Sequence, residues 1–268
     1  MAFPKPDLAE RVEDRNVSCF YDFPVTNWSR FFSRMKNRAL VRIFTTHLSG
    51  GKVLEIGPGD GEFLRSLRAK GLNVSGADIS EKICRRIEER LGVPMHQGSI
   101  ESIEHKKTYD GVVANHVVEH VSDASDFLRK IRSLLEDSAI LLLTCPNVES
   151  WDAAWSGWSG YQAYHARYYT SKALSLLVNQ AGFEIIFLST RESFSAPWDT
   201  LYQTLVVGAD PFSEAEIART VSAGRRNVVV TFFGNLIKAI FCFGFYPLRK
   251  WLGIKQRGDE IVLLARAK

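Results

Sequence analysis

Two periodicities divide the chain. Between residues 27 and 48, Trp28, Phe31, Phe32, Met35, Leu40, Ile43 and Phe44 recur at roughly helical spacing among Arg and Lys, which predicts a helix. Gly50-Gly51 then punctuates the chain, and short apolar runs begin to alternate with charged helical stretches. Runs at 52–56, 73–77, 94–97, 110–114, 139–144, 183–188 and 260–265 read as strands. Stretches at 62–70, 81–91 and 171–180 read as helices, and Asp123 and Asp126 open another after the fourth strand. The fifth run is apolar throughout, as a strand covered by helices on both faces must be. Strand, helix, strand at this pitch requires right-handed crossovers, so the expected fold is α/β, a doubly wound, mostly parallel sheet.

The expected organisation is an N-terminal arm and helix over 1–49, a core over 50–191, an insert over 192–258 and a last core strand over 259–268. With 268 residues, 46% hydrophobic and 24% charged, the chain can bury a full core. The net charge of +4 is mild and spread along the sequence, so no nucleic-acid partner is expected, although an anionic surface would be tolerated. Cys19, Cys84, Cys145 and Cys242 are far apart and form neither a zinc knuckle nor a disulfide framework. The first residues lack the apolar run of a signal peptide, and the expected location is cytoplasmic.

The chemistry concentrates in Val53-Leu54-Glu55-Ile56-Gly57-Pro58-Gly59-Asp60-Gly61-Glu62-Phe63-Leu64. Glycines at alternate positions after a strand let the backbone turn tightly and meet a ligand with no Cβ between. A dinucleotide site would want G-x-G-x-x-G, and a P-loop would need G-K-[ST]; neither is present. Glu55 precedes the loop, and a carboxylate there suits a cationic ligand better than a pyrophosphate. Asp78, at the end of the second strand, can accept hydrogen bonds from both hydroxyls of a ribose. S-adenosylmethionine, with its amine, sulfonium and ribose, meets these demands.

With Tyr109-Asp110-Gly111-Val112-Val113-Ala114-Asn115-His116-Val117-Val118-Glu119-His120-Val121 and the run 141–146 added, the sequence resembles the class I S-adenosylmethionine-dependent methyltransferases. The resemblance covers roughly residues 50–190 and the last strand, and its text is closest to the small-molecule and ubiquinone-biosynthesis O-methyltransferase branch. It implies a Rossmann-like seven-stranded sheet whose last strand is antiparallel. It also implies that Glu55, Gly57, Gly59 and Gly61 line the methionine end, that Asp78 meets the ribose, and that Ile79 beside it belongs to the cofactor site. Ser99 and Ile100 would frame the adenine, and Asn115 would close the methionine side. The family often has Asp where Ser99 stands, and a hydroxyl accepts more weakly there.

His116, Glu119 and His120 spell H-x-x-E-H, which on a helix could hold zinc; the strand before it and the glycine loop upstream assign the spot otherwise. The ubiquinone O-methyltransferases carry E-x-x-E-H at the equivalent turn, with a divalent cation. His116 replaces the first glutamate, and imidazole is a poor ligand for Mg²⁺. No metal is expected, and Glu119 and His120 are expected to hold the loop. Removal of a hydroxyl proton needs a base in the neutral range, for which His165 is the first candidate and His116 the second. The alternative for His165 is a structural hydrogen bond to a loop carbonyl. Trp151, Trp155, Trp158, Tyr161 and Tyr164 would either cover an apolar or sugar-like acceptor or pack their own loop.

Residues 227–248 are strongly apolar, but Asn235, Lys238 and Pro247 interrupt them, and basic residues flank them. The segment reads as a buried or dimer-forming helix, or as a peripheral contact at the inner face of a membrane through 225–251. The functional expectation is methyl transfer to an oxygen of a small-molecule, lipid-linked or glycan acceptor. A nitrogen or carbon acceptor, or a non-catalytic cofactor-binding scaffold, are the alternatives.

Overall fold

The computed structural model describes residues 27–48, 50–104, 108–158, 160, 162, 165–192, 196–202, 204–205, 240–241 and 243–268. Tyr161, Tyr164 and most of the apolar run 227–248 lie outside the described residues. In chain order the elements are α1 (Asn27–His47), β1 (Lys52–Ile56), α2 (Glu62–Arg68), β2 (Asn73–Asp78), α3 (Glu81–Leu91) and β3 (Met95–Gln97). Then come β4 (Tyr109–Asn115), α4 (Ala124–Leu134), β5 (Leu135–Pro146), α5 (Ser171–Gln180), β6 (Phe183–Arg191), α6 (Ala196–Tyr202), α7 (Tyr246–Ile254) and β7 (Glu260–Ala267). The expected seven strands are all present, in one sheet of order β3-β2-β1-β4-β5-β7-β6 with β7 antiparallel.

The chain divides into two compact units. One contains residues 24–145, 171–188 and 262–268 and holds most of the sheet. Its core is apolar on both faces of the central strands: Val53, Leu54, Val112, Val113, Ala114, Leu141, Leu142 and Leu143 are all buried. Leu40, Val41 and Phe44 bury one stripe of α1, and Ile83, Cys84 and Ile87 one stripe of α3. Helix ends follow sequence signals. The Ser80 hydroxyl accepts from the Ile83 N–H at 3.4 Å, and left-handed Gly92 stops α3. Asp123 Oδ1 accepts from the N–H groups of Ser125 and Asp126 at the start of α4.

The largest boundary difference is at β5, which begins at Leu135 rather than 139. Tyr109 pairs with Leu135 but Gly111 with Ile140, so the ladder bulges between them. Exposed Glu136 and Asp137, with Ser138 at φ 64°, occupy the bulge and hide the strand start from a hydrophobicity pattern.

The other unit contains the described residues of 146–170 and 189–261. Among its described residues, buried polar groups bond to one another beside an apolar set that includes Trp158 and Leu252. Asp152 accepts from the hydroxyls of Ser150 and Thr200, each at 2.8 Å. Glu192 accepts from the Trp151 indole and the Asp259 N–H, both at 3.2 Å. Burial, and then the negative charges of Asp259 and Asp152, push the Glu192 carboxyl up to about 9. The folded chain therefore holds a proton that the unfolded chain releases near 4.5, and stability falls as pH climbs from there toward about 9. Glu192→Gln mimics the protonated carboxyl. Its melting temperature is expected to exceed that of the parent at pH 8 and to match it near pH 5, in thermal melts across that range.

Candidate functional site

Four parallel strands end side by side. Ile56, the last residue of β1, pairs with Ala77 of β2 and with Ala114 of β4. The next residue on each strand, Gly57, Asp78 and Asn115, therefore stands in one row along the carboxyl edge. Asp78 in turn pairs with Gln97 of β3. Strands lie about 4.8 Å apart, so this row spans the width of a nucleoside. It also straddles the point where strand order reverses, between β1 and β4, where open α/β sheets form their crevice.

The loop after β1 is wound left-handed at each glycine, with φ of 64° at Gly57, 55° at Gly59 and 72° at Gly61. The Gly57 N–H donates to the Ala77 carbonyl at 2.9 Å, and that of Gly61 to the Pro58 carbonyl at 2.8 Å. A Cβ on Gly57 would lie 2.8 Å from Val117 Cγ2. Asp60, which the sequence reading passed over, accepts from the Glu62 N–H at 3.0 Å and so opens α2. Its place two residues before a helix start is the signal that could have found it.

Glu55 is 1% exposed, and among the described residues no hydrogen-bond partner reaches its Oε2. Burial first, and then the charge of Asp60, raise its carboxyl well above the ordinary range; the Leu64 N–H opposes them. Leaving such a group in the interior costs stability unless a partner arrives. A buried acceptor at the tip of β1 fits the ammonium of a methionine moiety.

Asp78 is partly buried, and its Oδ1 accepts from the Ser80 N–H at 2.9 Å. Burial raises its carboxyl, against that hydrogen bond. Ile79 beside it is 58% exposed, an apolar surface at the same edge. The Gly98 N–H donates to the Asp78 carbonyl at 2.9 Å, tying the end of β3 to that of β2. Ser99 follows on the surface, and Ile100 is buried beneath it. Across the row, Asn115 Oδ1 accepts from the Thr144 hydroxyl at 2.5 Å, so Thr144 fixes the amide; nothing in the sequence pattern marked it.

The H-x-x-E-H stretch is a turn, not a helix, with α4 starting only at Ala124. His116 sits at φ 57°, its N–H donating to the Thr144 carbonyl at 3.1 Å. Its Nδ1 lies 3.2 Å from Glu119 Oε1, and Glu119 is buried. The His120 N–H closes the turn onto the Val117 carbonyl at 2.9 Å. His165 belongs to the other unit, where it is buried with Nδ1 3.0 Å from the Gly160 carbonyl. That donor places the remaining lone pair of a neutral ring on Nε2. Trp158 is 1% exposed and thus packs the interior of that unit, while Trp151 and Trp155 meet edge to face at 5.4 Å.

Comparison with known proteins agrees with this geometry. The methyltransferase domain family matches residues 28–188. The ubiquinone biosynthesis O-methyltransferase of Rickettsia akari is 26% identical over 109 residues, 39% of this chain and 43% of that protein. The chain thus spans less than half the length of this curated relative. Among solved structures, an S-adenosylmethionine-dependent methyltransferase from Thermotoga maritima superposes with a TM-score of 0.57 at 18% identity, covering 94% of this chain and 99% of that one. The 1,6-didemethyltoxoflavin-N1-methyltransferase of Burkholderia thailandensis, solved with S-adenosylhomocysteine, gives 0.58 at 16% identity, covering 100% and 92%. At these identities the two likenesses concern the fold. The row of strand tips, the left-handed glycine loop and the family match over most of the sheet together establish that the chain belongs to the class I S-adenosylmethionine-dependent methyltransferases.

Proposed function

We propose that the chain transfers a methyl group from S-adenosylmethionine to an oxygen of a small-molecule, lipid-linked or glycan acceptor. The observation that carries the cofactor half of this reading is the buried Oε2 of Glu55 at the head of the glycine loop, which has no partner among the described residues. The bound cofactor would supply a methyl carbon made electrophilic by a sulfonium. Glu55 and the backbone of Gly57, Gly59 and Gly61 receive the methionine end, with Asn115 closing it. Asp78 accepts from the ribose hydroxyls, Ile79 lies against the adenine, and Ser99 and Ile100 bound its far side. Holding donor and acceptor in line supplies most of the rate, and proton removal is secondary. His165 Nε2 takes the hydroxyl proton, with His116 as the second candidate.

Two measurements test this. Asp78→Ala leaves two ribose hydroxyls without their acceptor and is expected to weaken S-adenosylhomocysteine binding by about 1–3 kcal/mol in calorimetry. Affinity of the parent should also fall on acidification, since burial makes Asp78 protonate above its ordinary 3.8 and a protonated carboxyl accepts less well. Unchanged affinity in Asp78→Ala means the ribose lies elsewhere. For the acceptor, methyl-labelled cofactor is incubated with cell extract, and label is traced into lipid, glycan, protein and small-molecule fractions.

A nitrogen acceptor is the second reading, since the His165 Nδ1 contact with the Gly160 carbonyl fits a purely structural histidine equally well. An amine needs no strong base. His165→Ala is expected to lower turnover about 100-fold if oxygen is methylated. Full turnover in both this variant and His116→Ala would move the assignment to nitrogen.

A further inference from the structure

The helix before the last strand has its faces reversed for a water-soluble surface. The backbone is helical at 240–241 and 243–244 as well as through α7, and backbone bonds from Phe245 to the Phe241 carbonyl and from Arg249 to the Phe245 carbonyl keep one phase throughout. One stripe faces its own unit. Phe241 stacks on Phe245 at 5.8 Å, Phe245 meets Trp151 at 5.6 Å, Leu252 is buried, and Arg249 Nη2 donates to the Glu192 carbonyl at 2.6 Å.

The opposite stripe recurs at intervals of three and four residues: Ile240, Phe243, Pro247, Trp251 and Ile254. A stripe with that period belongs against a core. Here every member faces outward, with Ile240 65%, Phe243 62%, Trp251 53% and Ile254 77% exposed. Lys250, whose Nζ lies 5.3 Å from the centre of the Tyr246 ring, borders the stripe on one side, and exposed Lys255 borders it on the other. Between 240 and 258 the sequence holds Arg249, Lys250, Lys255 and Arg257 and no acidic residue.

We propose that this face is a membrane-docking surface that lies in the interface of an anionic phospholipid bilayer. An apolar stripe with an aromatic ring buries itself at the headgroup boundary, while flanking lysines keep their ammonium groups among lipid phosphates. A second copy of the chain suits the face poorly. Pairing two such stripes about a two-fold axis would set Lys250 and Lys255 against the same cations, with no carboxylate in the segment to neutralise them. Among the described residues no helix is long and apolar enough to cross a membrane, so the contact is made by lying on the surface.

The test is co-sedimentation of the full chain with sucrose-loaded vesicles, either neutral phosphatidylcholine or a mixture containing phosphatidylglycerol, at low salt. The parent should pellet with the anionic vesicles at least about tenfold more strongly than with the neutral ones, and added salt should weaken it. The double variant Trp251→Glu/Ile254→Glu should lose at least about tenfold of that binding. Both positions are exposed, so its melting temperature and its cofactor affinity should match those of the parent. A parent that stays in the supernatant at low salt overturns the proposal. So does equal pelleting of parent and variant, or equal pelleting with both lipids. A dimer that the variant dissolves, with vesicles ignored, would assign the face to a second copy instead.

Discussion

Glu55→Gln is expected to raise the melting temperature by a few degrees while weakening S-adenosylhomocysteine binding roughly 30-fold. The two effects share one cause. Glu55 is buried, its Oε2 has no partner among the described residues, and both desolvation and Asp60 work against its charge. Replacing it with a neutral isostere removes that penalty from the folded state. The same substitution removes the charge that would receive the ligand's ammonium, and a charge-assisted hydrogen bond of that kind contributes about 2 kcal/mol. A site that costs stability until its ligand arrives should show this opposition of signs. A variant that loses stability and keeps its affinity would make Glu55 an ordinary buried carboxylate.

Gly57→Ala should fail in a different manner. The left-handed backbone at φ 64° costs an alanine about 1–2 kcal/mol. Its Cβ would also stand 2.8 Å from Val117 Cγ2, so the loop or the turn after β4 must shift. That shift displaces the strand-tip row itself, and cofactor affinity is expected to fall at least about tenfold along with the melting temperature. Gly71→Ala provides the comparison. Gly71 has φ 84° on the surface, and nothing lies within 4 Å of an added Cβ. It should lose similar stability and bind the cofactor as the parent does, which separates backbone strain from damage to the site.

What could be read from the sequence followed the physics of local signals. The fifth strand announced itself because both its faces are buried, and α4 because Asp123 caps it. The start of β5 was hidden because a bulge fills it with Glu136, Asp137 and Ser138, residues that carry no apolar pattern. Glu55, Asp78 and Asn115 were legible as single residues at strand ends. Their standing in one row depends on pairing between distant strands, and only the register of β1 with β2 and β4 shows it. Thr144 was invisible for the same reason: it matters through Asn115, a neighbour 29 residues away. The H-x-x-E-H spacing suggested a helical face, but His116 turns left-handed and the chain does not become helical until Ala124. The outward stripe on α7 was partly visible as apolar content, yet its direction could not be known until Phe241, Phe245 and Leu252 were seen to take the inner side.

The most direct measurement is a crystal structure of the full chain grown with S-adenosylhomocysteine. Its ribose hydroxyls are expected on the carboxylate of Asp78, its amino group toward Glu55 and the loop from Gly57 to Gly61, and its adenine beside Ile79. A ligand seated away from the tips of β1 and β2, or a ribose that does not touch Asp78, would contradict this placement.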